Sequence, residues 1–287
     1  MTGQSHPTLT TSSGPLVADT NAVRGPVPSR RVGWSHHMPR SINGTMIPIS
    51  RYKAWFMNVV SRILLAEFLG TFALVFMGAG AAAALGPGNV PAVALAHGLT
   101  IMAFVAAFGD LSGGHINPAV TIGLAVAREF PTRRVIPYVA AQLLGGIAAG
   151  LGLLAIFGSP VNDLGATVFD MQRITATGGF MLEAFGTFLL VTIVLHSAVR
   201  GSAGRLAPLA IGMTVTVCIL TFGVLTGGSV NPARTIGPAV AAGVYDGIAV
   251  YLVAQLVGGS LAGMLYRVFW SRRADIAQLA TGAVPAE

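Results

Sequence analysis

One twelve-residue stretch occurs twice, and its form leaves few architectures open to the chain. The first copy is Ser112-Gly113-Gly114-His115-Ile116-Asn117-Pro118-Ala119-Val120-Thr121-Ile122-Gly123; the second is Thr226-Gly227-Gly228-Ser229-Val230-Asn231-Pro232-Ala233-Arg234-Thr235-Ile236-Gly237. Each reads as a loop that starts a helix. Asn is a favoured N-cap, Pro suits the first helical position because its missing N–H would have no partner there, and the glycine pair lets backbone approach closely. The apolar run that follows is short. Residues 119–127 and 233–242 give roughly ten residues and about 15 Å of helix, where a bilayer crossing takes about 20 residues. Both copies are therefore expected to be half-spans, which enter a membrane without crossing it.

The rest of the chain supplies the spanning material. Of 287 residues, 9% are charged, 53% are hydrophobic and 37 are Gly, a balance that suits helices packed closely in lipid. Six long apolar runs lie at about 63–85, 90–109, 135–157, 179–199, 207–225 and 245–269. The loop over 158–177, with Asp163, Asp170 and Arg173, reads as solvent-exposed. The single Cys218 excludes an intrachain disulfide and a cysteine-built metal site. His97, His115 and His196 lack metal-ligand spacing and have no evident Ser or Asp partners. No enzyme activity, catalytic residue, metal or cofactor is expected.

The two halves are copies of each other. Residues 66–72 (AEFLGTF) resemble residues 182–188 (LEAFGTF) at an offset of 116, residues 138–146 resemble 251–259 at an offset of 113, and the two Asn-Pro-Ala motifs lie 114 apart. Three spans per copy is an odd number, so the second copy inserts with the opposite topology and the half-spans dip in from opposite faces. The expected fold is an all-α membrane protein of six transmembrane helices plus two re-entrant half-helices, an inverted 3+3 repeat. Irregular backbone at membrane depth is tolerated only where it is buried in protein or lines a water-filled cavity. A channel lining is implied. The glycine spacings Gly146/Gly150 and Gly259/Gly263 predict close helix contacts, and polar packing between helices is the expectation for Gln142 and Gln255.

Two Asn-Pro-Ala half-helices, the second followed directly by Arg234, in a duplicated six-span chain resemble the aquaporin and glycerol-facilitator (major intrinsic protein) family over about residues 60–270. Tyr251-Leu252 is closer to the nodulin-like members than to the water channels. The resemblance implies a passive pore with Asn117, Pro118, Ala119, Asn231, Pro232 and Ala233 at its centre. There, as is known of aquaporin-type channels, half-helix dipoles and an Arg exclude protons and cations. It implies a selectivity constriction of His97, Ile219, Gly228 and Arg234, and a homotetramer. For Glu67 and Glu183 it implies structural support, as carboxylates that accept N–H bonds from the pore loops; the other reading of an intramembrane carboxylate is a proton relay.

Departures from the family pattern bear on the solute. Water-specific members resemble one another in an aromatic where this chain has His97 and a His where it has Ile219, and Gly228 brings no side chain at all. A wider, less hydrophilic opening is expected. Against a glycerol facilitator, Thr235 stands where that subgroup usually carries Asp. The function expected is conduction of water and small uncharged solutes such as glycerol, urea or undissociated metalloid acids; a water-selective aquaporin and a secondary transporter are the alternatives. His97 is expected either to bond passing water or, once protonated, to modulate flux between about pH 5 and 7.

Charge gives the orientation. Of 17 Lys and Arg, seven precede residue 63, three follow the first half-span, two join the fourth and fifth spans and three end the chain. Those places share one side of the membrane, so both termini are expected in the cytoplasm, beneath a plasma or bacterial inner membrane. The net charge of +7 thus reflects topology, with no nucleic-acid partner. Residues 1–57 lack an apolar period and a signal-peptide core, and are expected to form a disordered cytoplasmic tail. Residues 58–271 form the channel domain (repeat one about 60–157, repeat two about 178–271), and 272–287 a cytoplasmic C-terminal tail.

Overall fold

The structure is a computed structural model; it describes residues 41–42, 45–46, 49–86 and 88–271, with side chains from Met57 onward. Among these residues eight α-helices carry the chain: α1 (Ile49–Leu85), α2 (Val90–Ser112), α3 (Pro118–Val126), α4 (Val135–Phe157), α5 (Ala176–Val194), α6 (Ala207–Thr226), α7 (Pro232–Ala242) and α8 (Ile248–Phe269). Six are long and apolar enough to cross a membrane, α5 with its last turn widened to a π-helix over Leu195–Val199. The two others, α3 and α7, have 9 and 11 residues. This is a multi-pass, all-α membrane protein; its only extended structure among the described residues is a pair of two-residue strands, Ser41–Ile42 and Thr45–Met46.

Glycines seat the half-helices. A methyl group added at Gly146 or Gly150 of α4 would strike the carbonyl oxygens of Ala233 and Gly237 on α7; one added at Gly259 or Gly263 of α8 would strike those of Ala119 and Gly123 on α3. Each half-helix therefore lies backbone to backbone on the third span of the opposite repeat. Apolar side chains gain little by leaving lipid for one another, so such packing relies on close approach rather than on a hydrophobic drive. Leu95, Leu99, Leu144, Leu151, Phe185 and Val257 point outward and exposed, as a face toward hydrocarbon requires.

Two sequence-based expectations change. α1 begins at Ile49, well before residue 63, because residues 49–69 hold no Gly or Pro to stop it and include good helix formers such as Lys53, Ala54 and Met57. The end of the expected tail is thus helical; most of residues 1–57, and all of 272–287, lie outside the described residues. The loop over 158–177 is also not simply solvent-exposed. Its Leu164 is 0% exposed, packed among Val75 and Ala79 of α1 and Ala149 and Leu153 of α4. The only large apolar side chain between Pro160 and Gly165 other than Val161 fills a gap between two helices.

Candidate pore site

The two asparagines do more than cap. Asn117 Oδ1 accepts from Ala119 N (2.9 Å) and Val120 N (3.4 Å), and Asn231 Oδ1 accepts from Ala233 N (3.0 Å) and Arg234 N (3.3 Å). Across the dyad, Asn117 Nδ2 donates to Val230 O and Asn231 Nδ2 donates to Ile116 O, both at 2.9 Å. The two loops are tied to each other through these amides. An amide NH2 carries two hydrogens, so each Asn keeps one, and both residues line an inner cavity of about 30 Å³.

Ile116 (φ 42°) and Val230 (φ 46°) are β-branched residues in left-handed backbone, a conformation that persists only where the surroundings impose it. Two buried carboxylates do so. Glu67 Oε1 accepts from Ser112 Oγ (2.7 Å) and His115 N (3.0 Å), and its Oε2 accepts from Ile116 N (2.7 Å) and Gln142 Nε2 (2.8 Å). Glu183 repeats the pattern: Oε1 with Thr226 Oγ1 (2.7 Å) and Ser229 N (3.0 Å), Oε2 with Val230 N (2.8 Å) and Gln255 Nε2 (2.9 Å). Tyr138 and Tyr251 hydroxyls donate to the Ser112 and Thr226 carbonyls at the loop starts. Gln142 and Gln255 gain a definite place as ties from α4 and α8, each also reaching the Thr121 or Thr235 hydroxyl.

Arg234 is 2% exposed. Its Nε–H donates to His97 Nε2 (3.2 Å) and its Nη1–H to the Gly165 carbonyl (2.8 Å). His97 Nδ1 lies 2.8 Å from Val93 O, which requires the Nδ1–H tautomer with Nε2 as acceptor. The ring sits over Gly78 of α1, where a methyl group would overlap it. Both nitrogens of His97 are thus engaged within the protein, Nδ1 by Val93 O and Nε2 by Arg234, where the sequence suggested either a wall group that bonds passing water or one whose protonation modulates flux. Arg234 lines both the inner cavity and an outer one of about 220 Å³, which Ile219, Asp163 and Gly165 also border.

Gly228 departs from expectation. At φ 59°, a Cβ there would lie 2.9 Å from Ile219 Cγ1 and 3.0 Å from Ile219 Cα, so the space left by its missing side chain is already filled. Left-handed backbone and a clash with α6 together should make Gly228→Ala less stable by about 2 kcal/mol or more. A thermal unfolding midpoint in detergent unchanged from the parent would show that room exists. Two residues escaped sequence reasoning. His115 borders the inner cavity, its Nδ1 3.0 Å from Thr121 Oγ1. Gly165 acts through a carbonyl, which has no side-chain signature to find.

Known proteins resemble this chain in sequence and in fold. The sequence profile of the major intrinsic protein family matches residues 55–266. Aquaporin TIP2-1 of Arabidopsis thaliana is 41% identical over 220 residues, which is 71% of this chain and 86% of that protein. Aquaporin AqpM of Methanothermobacter thermautotrophicus is 39% identical over 238 residues, 72% of this chain and 96% of that one. Among solved structures, the aquaglyceroporin from Plasmodium falciparum aligns with a TM-score of 0.67 at 27% identity, covering 76% of this chain and 99% of its own. With two cross-tied, Asn-capped half-helices inside six spans, and a profile matched over most of its length, the chain belongs to the major intrinsic protein family of membrane channels, which are not enzymes.

Proposed function

We propose that this channel conducts water together with small uncharged solutes such as glycerol, urea or undissociated metalloid acids, and excludes protons and other ions. The pore centre is assigned to Asn117, Pro118, Ala119, Asn231, Pro232 and Ala233, and the selectivity region to Arg234 and Ile219, with His97 and Gly228 behind them and Glu67 and Glu183 holding the loops. The observation that carries this reading lies at Arg234. Its Nε–H and Nη1–H are engaged by His97 and Gly165, so fewer fixed donors remain there for water, while Ile219 gives the outer cavity an apolar border. At the centre, two half-helix N-termini disfavour cations, and the spare Asn hydrogens suit hydroxyl oxygens. The likeness to an aquaglyceroporin supports the solute reading.

A water-selective pore is the second reading. It is favoured by the inner cavity of about 30 Å³, the room of one or two waters. The secondary-transporter reading has no such support: each oxygen of Glu67 and Glu183 already accepts two hydrogen bonds, leaving neither carboxylate for a coupling ion. The distribution of Lys and Arg supports cytoplasmic termini in a plasma or bacterial inner membrane, and the family resemblance supports a homotetramer in the lipid bilayer with one pore per subunit.

Stopped-flow light scattering on proteoliposomes tests this by recording water efflux and glycerol uptake. Rapid glycerol uptake is expected, and Ile219→His should reduce it about tenfold while water flow persists. Fast water flow without glycerol uptake in the parent would establish the water-selective reading instead.

A further inference from the structure

Gly78 stands in the middle of α1, where glycine is a poor helix former and calls for a packing reason. The reason is one ring. Gly78 is buried, and a Cβ built on it would overlap Cδ2 and Nε2 of His97 and stand 2.6 Å from Cε1. The imidazole occupies the volume that a side chain at 78 would need.

The second repeat shows how the same two places are filled otherwise. At the offset of 116 that relates Glu67 to Glu183, Gly78 corresponds to Val194, and at the offset of 114 that relates the two Asn-Pro-Ala motifs, His97 corresponds to Ile211. Val194 and Ile211 both line the inner cavity. Repeat two divides the space between two side chains of middle size, whereas repeat one gives all of it to the histidine.

Neither helix has room to yield. On the far side of α1, a Cβ at Gly165 would stand 2.9 Å from Ala79 Cα; on the far side of α2, a Cβ at Gly98 would overlap Thr216 Oγ1 and stand 2.7 Å from Gly212 O of α6. Extra volume at 78 must therefore be absorbed by the ring, since backbones already in contact cannot approach further. Nδ1 is held at Val93 O and Nε2 at Arg234 Nε, and both bonds are lost or strained when the ring moves. The space open to it is the inner cavity, which His97 borders.

We propose that Gly78 is a specificity-determining residue: the recess it leaves holds the His97 ring back from the lumen, and so sets the bore of the pore beside Arg234. This deepens the proposed function and rests on its placing of the selectivity region at Arg234. With a methyl at 78 the ring edge stands in the lumen. Water squeezed past it sheds about one hydrogen bond more than in the parent, which slows each crossing about fivefold. Glycerol, wider than water, should be slowed further.

The test is water permeability in proteoliposomes, normalised to incorporated channel and recorded at several temperatures, for the parent, Gly78→Ala, His97→Ala and the double variant. Gly78→Ala is expected to conduct about fivefold more slowly and with a steeper temperature dependence, and the double variant to match His97→Ala in both. A fraction of misfolded channels lowers the rate but leaves its temperature dependence alone, so the slope separates a narrowed pore from a damaged fold. Parent-like flow in Gly78→Ala, slow flow with the parent's slope, failure of the variant to fold, or a double variant slower than His97→Ala would each overturn the recess. Glycerol uptake by the parent, measured alongside, decides the solute reading separately, because the role of Gly78 is judged on water alone.

Discussion

Glu183→Ala is expected to leave no water-conducting protein. The carboxylate accepts from Thr226 Oγ1, Ser229 N, Val230 N and Gln255 Nε2, all in an interior where its own exposure is 0%. Each buried donor left without a partner costs about 1–3 kcal/mol, so four cost on the order of 4–12 kcal/mol. Whole domains are stable by only about 5–15 kcal/mol. The loss also frees Val230, whose left-handed backbone (φ 46°) is imposed by that carboxylate. Glu183→Gln tests the number of acceptors: its NH2 turns toward donors that an oxygen had satisfied, so an intermediate loss is expected. Thermal unfolding in detergent and proteoliposome water flow measure both variants. A Glu183→Ala midpoint within a few degrees of the parent would mean that waters or a shifted loop replace the carboxylate. By the inverted repeat, Glu67→Ala should do to the α3 loop what Glu183→Ala does to that of α7.

How far this could be read from sequence depends on whether a feature's chemistry is local. Asn and Pro at a helix start act within one turn, so residues 117–119 and 231–233 announce both half-helices, and their brevity announces that neither crosses. The Gly146/Gly150 and Gly259/Gly263 pairs carry their spacing with them, and the structure gives each a half-helix to seat. Arg234 is legible by adjacency to the second motif. What surrounds it is not. The Gly165 carbonyl is a backbone atom in a loop that also holds Asn162 and Asp163, and contacts distant in sequence bring it inward: Leu164 buried against α1 and α4, and Asn162 Nδ2 bonded to Ala83 O. The acceptor role of His97 depends on Val93 fixing one ring nitrogen and on Gly78 leaving room for the ring. Gly228 shows the same limit from the other side: a sequence reveals that a side chain is missing but not that Ile219 occupies its place.

Arg234→Ala should then make the largest change in what the pore excludes. The variant removes the buried cation that borders both cavities and uncovers two acceptors, His97 Nε2 and the Gly165 carbonyl. A donor-bearing wall becomes an acceptor-bearing one. A unit charge about 5 Å from a passing cation, at an effective dielectric near 20, repels it by about 3 kcal/mol, so its loss favours cation occupancy by about a hundredfold at this level. The two half-helix N-termini remain, and their partial charges, about half a unit each, keep the centre unfavourable to cations. Glycerol uptake is expected to rise, with a proton or cation leak that the parent lacks, read by a pH-sensitive dye inside the vesicles. Arg234→Lys separates charge from geometry: an ammonium restores the cation but cannot hold His97 and Gly165 in the fixed fork of a guanidinium, so it should suppress the leak without restoring the parent's solute profile. A leak equally absent from Arg234→Ala would assign ion exclusion to the half-helix ends alone and leave Arg234 only the sorting of neutral solutes.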